Sequence, residues 1–389
     1  MRVLVATDDR VGPAMAGSAL RAWELARVVR SAGHEVHLLA AAGSEPPGPD
    51  GPTPEEHGSW RDADAVVCPA WSLPPRAFLA GRRLRLVVDG TTPLLAELDA
   101  MPDGPAVRRR RRTAAARLPL VAQRADAVLV AGGAQEAWWR RVVRPGVPLL
   151  QVPFGVPDEP FPGDPAEVPG VPRGWRIVLW WGGVWPWLDL DSLLAARARL
   201  EAAKLSIVVP TGGRPGGGGA GLDTPGLRRR ANRFGLDERQ VVALEEWVPY
   251  VERHRLLAAA SLLAVLHHPG AEAELAFRTR ALDGMWATVP LLVSDGGEVA
   301  RLVRTNRWGA AVPPKDIAAA AAAMELLLGD REQGRCREAL EEARPMWRWT
   351  EVARPLVTAL DELPVAPRGR RVVAAVRAGL RLLVGRRRS

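Results

Sequence analysis

Short β-branched runs alternate with stretches of helical periodicity along most of the chain, and this order predicts parallel sheets covered by helices on both faces. Residues 2–6 read as the opening strand. Past a loop holding Gly12, Pro13 and Gly17, the apolar residues Leu20, Trp23, Leu25, Ala26, Val28 and Val29 recur at roughly helical spacing up to Gly33, and 35–39 reads as the second strand. Pro and Gly crowd residues 43–58, which read as a mobile loop because such residues resist both helix and sheet. Residues 65–68, 84–89, 127–130 and 148–152 supply the next strands.

Prolines then recur from Pro153 to Pro172 too often for either regular element to persist, which marks a linker. Beyond it the alternation restarts, with strands read at 177–180, 205–209, 240–244, 262–266 and 291–294. The chain is therefore α/β, with two doubly wound, Rossmann-like domains in tandem: 1–152, the linker 153–172, and 173–345. A helical segment over 346–365 follows and is expected to cross back to the first domain, ahead of a basic amphipathic tail at 366–389. A length of 389 residues suffices for two separate cores.

Composition narrows the class. Hydrophobic residues at 47% and charged residues at 25% give a globular balance that leaves little room for extended disorder. No apolar run approaches the ~20 residues of a membrane-spanning helix, and Met1 leads straight into a strand, so the expected location is the cytoplasm. Cys68 and Cys336 form no metal or disulfide pattern. A net charge of +9 draws the protein to polyanions without choosing among phosphorylated sugars, lipid headgroups and nucleic acid. Nearly all of that charge is Arg, which a high-GC coding bias explains as readily as phosphate binding does.

Four stretches could carry chemistry. Gly17 ahead of the first helix, with Arg21 one turn in, sets backbone N–H groups and a guanidinium where an anion is favoured, although glycine there also serves as an ordinary turn. Trp180, Trp181, Gly182, Gly183, Val184, Trp185, Pro186 and Trp187 put glycines at a strand's carboxyl end, where open α/β sheets bind ligands, and so many indoles in a short run are hard to bury together. Asp189 and Asp191 have a D-x-D spacing, but directly before an apolar helical run they are better read as a cap than as a metal site. The stretch His267, His268, Pro269, Gly270, Glu272, Glu274, Phe277, Arg278, Thr279, Arg280 and Asp283 follows another strand. Its arginines suit a leaving diphosphate and its carboxylates suit sugar or ribose hydroxyls, while the same spacings also form ordinary helical ion pairs.

These motifs, together with "MRVLVATDD", "ADAVLVAGGAQEAWW", "VPFGVPDEP", "VLWWGGVWPWLDLDSLL", "EWVPYVERHRLL" and "ELAFRTRALDGMWATVP", resemble the family-four glycosyltransferases of the GT-B fold, a bacterial polysaccharide and glycolipid branch above all. The resemblance spans nearly the whole chain. It implies two Rossmann-like domains facing a central cleft, an acceptor side in 1–152 and a nucleotide-sugar donor side in 173–345. It implies hexosyl transfer from a nucleotide-diphosphate sugar with retention, no metal and no further cofactor. The base is expected near Trp247–Tyr250 and the ribose at Asp283. The phosphates are expected at Gly182 and Gly183, with Gly17, Arg21, Trp187, Phe277 and Thr279 also on the donor side. Glu272, Glu274 and Arg278 are the catalytic candidates.

The match has gaps. The position eight before Asp283 is Leu275, which leaves Glu272 and Glu274 to compete for the sugar-facing role, and Thr288 stands where the family commonly has glycine. No histidine falls near Asp89, where the chain reads Gly90, Thr91 and Thr92.

In the tail, Val372, Val373, Val376, Leu380 and Leu383 fall near one helical face among arginines. Such a helix suits the inner face of an anionic membrane, at ~1 kcal/mol per nearby basic residue, with Arg108–Arg112 as a second contribution. A lipid-linked or other glycan acceptor and no nucleic-acid partner are then expected. Two other readings stay open: a sugar-nucleotide epimerase on the same fold, and a non-catalytic polyanion-binding scaffold using the 15 tryptophans.

Overall fold

The computed structural model describes residues 1–48, 51–56, 63–71, 84–200, 203–212, 222–246 and 248–363. The basic tail expected at 366–389 lies outside them. The described residues divide into two compact units, Met1–Phe154 with Trp349–Leu363, and Gly155–Arg348.

In the first unit, β1 (Arg2–Ala6), β2 (Glu35–Leu39), β3 (Pro54–Glu55), β4 (Ala65–Pro69), β5 (Arg85–Asp89), β6 (Ala127–Val130) and β7 (Leu149–Gln151) form a seven-stranded sheet. The order is β3-β2-β1-β4-β5-β6-β7, and every pairing is parallel. Parallel strands covered on both faces bury nearly every side chain, as Val3–Ala6 and Ala127–Val130 do, which is why they read as continuous apolar runs. Helices α1 (Gly17–Ser31), α2 (Leu94–Ala100), α3 (Pro105–Arg124) and α4 (Gly133–Val142) connect them. β3 falls inside the stretch expected to resist sheet formation. Edge pairing there needs ladder bonds on one side alone, and its Pro54 lacks only an N–H that an edge strand can forgo.

In the second unit, β8 (Arg176–Trp180), β9 (Leu205–Pro210), β10 (Val241–Leu244), β11 (Leu262–Val265), β12 (Leu291–Ser294) and β13 (Gly309–Val312) form a six-stranded parallel sheet, ordered β10-β9-β8-β11-β12-β13. Its helices are α5 (Leu190–Ala198), α6 (Thr224–Arg233), α7 (Arg253–Ala259), α8 (Ala271–Leu275), α9 (Arg280–Trp286), α10 (Gly297–Asn306), α11 (Ile317–Leu327) and α12 (Asp330–Ala343). The crossover direction reverses between β8 and β11, the kind of position at which open α/β sheets bind ligands beyond the carboxyl ends of their strands. Residues 155–172 belong to this unit without regular structure, anchored where Val156 N–H donates to Trp347 O and Ala166 N–H to Arg255 O.

Where one helix is expected over 346–365, the chain instead makes a 3₁₀ turn (Arg344–Trp347) and two helices, α13 (Trp349–Val352) and α14 (Arg354–Glu362). Pro355, a residue favoured in a first turn, starts the second of them afresh. Both belong to the first unit: Trp349 is fully buried 6.0 Å from the Phe154 ring, and Arg85 Nε donates to Leu363 O at 2.7 Å. No helix among the described residues is long and apolar enough to cross a membrane.

α9 ends in a Schellman motif: Val289 N–H reaches back to Gly284 O and Thr288 N–H to Met285 O. The left-handed residue this requires is Thr288, at φ +54°. A β-branched residue there costs roughly 1–2 kcal/mol, more than the ~0.5–1 kcal/mol of chain entropy that glycine brings. Thr288→Gly is therefore expected to stabilise the second unit by roughly 0.5–1 kcal/mol in urea titration; an unchanged or lower midpoint would remove the strain argument.

Candidate functional site

At the start of α1, Gly17 occupies the first helical position, but the anion expected there meets a carboxylate already in place, since the Ser18 hydroxyl donates to Asp9 Oδ2. Arg21 is 1% exposed. Its Nε donates to Asp89 Oδ2 at 2.7 Å, Nη1 to Pro153 O at 2.9 Å and Nη2 to Val152 O at 2.7 Å, so it ties β5 to the end of β7. The guanidinium also stands 4.9 Å from the centroid of the Phe154 ring. Arg21 is thus placed as an internal brace rather than as a ligand contact.

The second unit gathers more chemistry, in the loops after β8, β11 and β12. Trp180 is core, 1% exposed, because it is still in the buried strand. Trp185 and Trp187 are half-buried, stacked at 5.2 Å with an interplanar angle of 2°, and pack against the core. Between them and β8 the chain turns through Gly182 at φ +83°, a left-handed conformation suited to glycine. A Cβ on Gly182 would also stand 3.1 Å from Arg280 Nε. Arg280 Nη2 donates to Gly183 O at 2.8 Å, which fixes a cation against the glycine turn. Burial pushes the Arg280 guanidinium down to about 10, so it remains charged at neutral pH.

One turn further along α9, Asp283 meets the same loop: Trp181 Nε1 donates to Asp283 Oδ2 at 2.8 Å, and Arg253 Nε donates to Oδ1 at 3.0 Å. Residues three apart share a helix face. α9 therefore presents a cation and an anion side by side to residues 181–183. Tyr250, in the 3₁₀ turn Tyr250–Glu252, lies under Arg253, while Trp247 is outside the described residues.

Arg278 faces backbone within the fold. It is 3% exposed and donates to three backbone carbonyls, Ser294 O through Nη1 and Ala273 O (3.3 Å) and Gly296 O (2.8 Å) through Nη2. It clamps α8 to the turn that follows β12. Phe277 is likewise internal, 6% exposed and stacked on Trp347 at 6.0 Å. Thr279 precedes α9 and makes no side-chain cap. Glu274 reaches the next turn, its Oε2 accepting from Gly297 N at 3.2 Å.

Glu272 is buried against His267, with Oε2 and Nδ1 3.0 Å apart and both side chains about 5–6% exposed. Burial raises the Glu272 carboxyl to about 7 against the pull of Arg278, and burial together with Arg278 holds His267 well below its ordinary value. Both therefore favour their neutral forms, and the protonated carboxyl donates to the imidazole. Between 4.5, the ordinary carboxyl value, and about 7 the folded chain holds a proton on Glu272 that the unfolded chain has released, so stability falls as pH rises across that window. His267 acts with the opposite sign below 6.5, where the unfolded chain gains a proton that the fold excludes. The two offset one another over much of the acid range and leave the Glu272 effect alone above 6.5. Glu272→Gln is accordingly expected to lose less Tm than wild type between pH 6 and pH 8; parallel Tm profiles would contradict the assignment.

The D-x-D pair is engaged within the fold. Asp189 caps α5, its Oδ1 accepting from Ser192 N at 3.0 Å and Oδ2 from Ser192 Oγ at 2.7 Å. Asp191 pairs with Arg230 and Arg233 at 3.3 and 3.0 Å.

Of these residues, Arg253, Trp181 and His267 had no assigned role in the sequence. Arg253 sits within the quoted "EWVPYVERHRLL" run, but only its burial beside the Tyr250 and Trp286 rings singles it out.

Residues 176–330 match the family model described as glycosyl transferases group 1. A comparison of the sequence with curated proteins finds no match. Among solved structures, the fold is similar to sucrose-phosphate synthase from Thermosynechococcus elongatus at TM-score 0.65 and 15% identity, covering 93% of this chain and 99% of that one. It is also similar to Anabaena HepE in complex with UDP and glucose, at 0.66 and 14%, covering 93% and 100%. A third likeness is to WaaG, a glycosyltransferase involved in lipopolysaccharide biosynthesis, at 0.65 and 16%, covering 94% and 100%. At such identities the likeness establishes the two-unit, Rossmann-like α/β fold.

Proposed function

We propose that residues 176–330, which match the glycosyl transferases group 1 model, seat a nucleoside-diphosphate sugar along loop 181–183 and α9 and pass the sugar, with retention and without a resident metal, to a glycan or lipid-linked hydroxyl. One observation carries the reading: Arg280 and Asp283, one helical turn apart, are held by Gly183 O and Trp181 Nε1 of a single loop at the sheet's switch point. A cation beside a glycine turn suits a diphosphate, and a carboxylate one turn on suits the ribose next to it.

In the transfer, the acceptor oxygen bonds to the anomeric carbon as the bond from that carbon to the diphosphate breaks. The acceptor's proton leaves with a diphosphate oxygen. Charge builds on the leaving group, and Arg280 with the backbone N–H groups of the glycine turn is preorganised to meet it. Glu272 and Glu274 remain the candidates on the sugar side, while Arg278 positions the loops that carry them. The exposed Arg108–Arg112 run of α3 supports an acceptor presented at an anionic lipid surface.

The test is turnover of a panel of nucleotide sugars, followed by nucleoside diphosphate release and by NMR of the product's anomeric configuration. Release with one base, a retained configuration and a rate indifferent to EDTA are expected. Steeply salt-dependent polyanion binding with no nucleotide-sugar turnover would contradict the reading.

A further inference from the structure

Arg253 opens α7 with its side chain 7% exposed, yet it is the most constrained group beside Asp283. Its guanidinium carbon lies 3.7 Å from the centroid of the Tyr250 ring and 4.5 Å from that of the Trp286 ring. Nη1 donates to Tyr250 O at 2.6 Å while Nε holds Asp283 Oδ1. A fork fixed between two rings has one rotamer, so it sets the plane of the carboxylate it grips. The indole N–H of Trp181 fixes the other oxygen.

An ionised carboxylate offers about four lone-pair positions. Arg253 and Trp181 fill two of those on Asp283, one per oxygen, and the Asp283 side chain is 21% exposed. The pair left over matches a vicinal diol in number. A single hydroxyl would leave one acceptor position unmet.

We infer that Arg253 is a positioning residue that presents the Asp283 carboxylate to both hydroxyls of a ribose, so that the site selects ribonucleotides over 2′-deoxyribonucleotides. The inference rests on the donor reading above. Arg253 touches no ligand itself and acts through Asp283.

The experiment is calorimetric titration of the full chain with UDP, GDP and ADP, their 2′-deoxy counterparts, and inorganic pyrophosphate. Wild type is expected to prefer the ribo form of its nucleotide by roughly 10- to 100-fold, the range of one hydrogen bond to a charged group. Arg253→Met, which keeps an unbranched body between the two rings, is expected to bring that ratio to within about 3-fold and to leave pyrophosphate affinity within about 2-fold. Arg253→Lys, which restores a donor, is expected to recover part of the ratio. Trp181→Phe serves as a second reading of the same carboxylate should Arg253→Met fail to fold, and its ratio is expected to fall by roughly 3- to 10-fold.

An unchanged ribo/deoxy ratio in the folded variants would overturn the inference, as would equal losses for nucleotides and pyrophosphate, the mark of a merely structural residue. Wild type that binds ribo and deoxy forms alike would reject the inference alone. Wild type that binds no nucleoside diphosphate would reject the donor reading beneath it.

Discussion

Arg280→Ala is expected to lower kcat/KM for donor turnover by roughly 100- to 1,000-fold, the loss typical of one preorganised donor facing a developing anion. The same change should lower Tm by no more than about 4 °C. Only one hydrogen bond to the fold is lost, that to Gly183 O, on a loop where water can replace it. The asymmetry follows from what the guanidinium faces: one nitrogen is tied to the glycine turn, and the group is desolvated enough to depress its pKa without being neutralised. Arg280→Lys is expected to fall between alanine and wild type, because a point charge neutralises the leaving group but cannot hold Gly183 O and a phosphate oxygen in one plane. A kcat/KM within about 3-fold of wild type in the alanine variant would remove Arg280 from the site.

Arg278→Ala is expected to do the reverse, destabilising the second unit by roughly 3–5 kcal/mol, which corresponds to a Tm lower by roughly 6–20 °C. The lost side chain leaves the carbonyls of Ala273, Ser294 and Gly296 without their donor in a site 3% exposed. It also removes a cation that favours the ionised form of Glu272, so the Glu272 carboxyl moves further towards its neutral form. Turnover by the fraction that remains folded at low temperature measures the role directly. A normal Tm with abolished turnover would restore Arg278 to the chemistry, where its sequence neighbourhood suggests it belongs.

The contrast between these two arginines shows where sequence stops being informative. Phe277, Arg278, Thr279 and Arg280 are consecutive, and no pattern separates a residue that faces backbone from one that faces a loop. The separation is made by the break between α8 and the short α9, which turns Arg278 towards the carbonyls after β12 and Arg280 towards Gly183. By contrast, the two sheets were legible, because strands buried on both faces leave uninterrupted runs such as Leu262–Val265 and Leu291–Ser294. The capping role of Asp189 was legible for a local reason: its partner is Ser192, three residues on.

Long-range partners were not legible. Arg21 reads as an anion contact one turn into a helix, and only the fold brings Val152, Pro153 and Asp89 to it. Trp181 reads as one indole among many, yet its N–H finds a carboxylate 102 positions away. Thr288 is an intermediate case: the resemblance draws attention to the threonine, but that the position demands a positive φ is visible only in the turn after α9.

The central claim is that residues 181–183 and α9 together grip a nucleoside diphosphate. Its most direct test is a structure of the full chain with its preferred nucleoside diphosphate bound. The account predicts phosphate oxygens within about 2.7–3.1 Å of Arg280 and of backbone N–H groups at Gly182–Gly183, with ribose hydroxyls on Asp283. A diphosphate seated at the start of α1 beside Ser18, with Arg280 still turned only to Gly183, would contradict it.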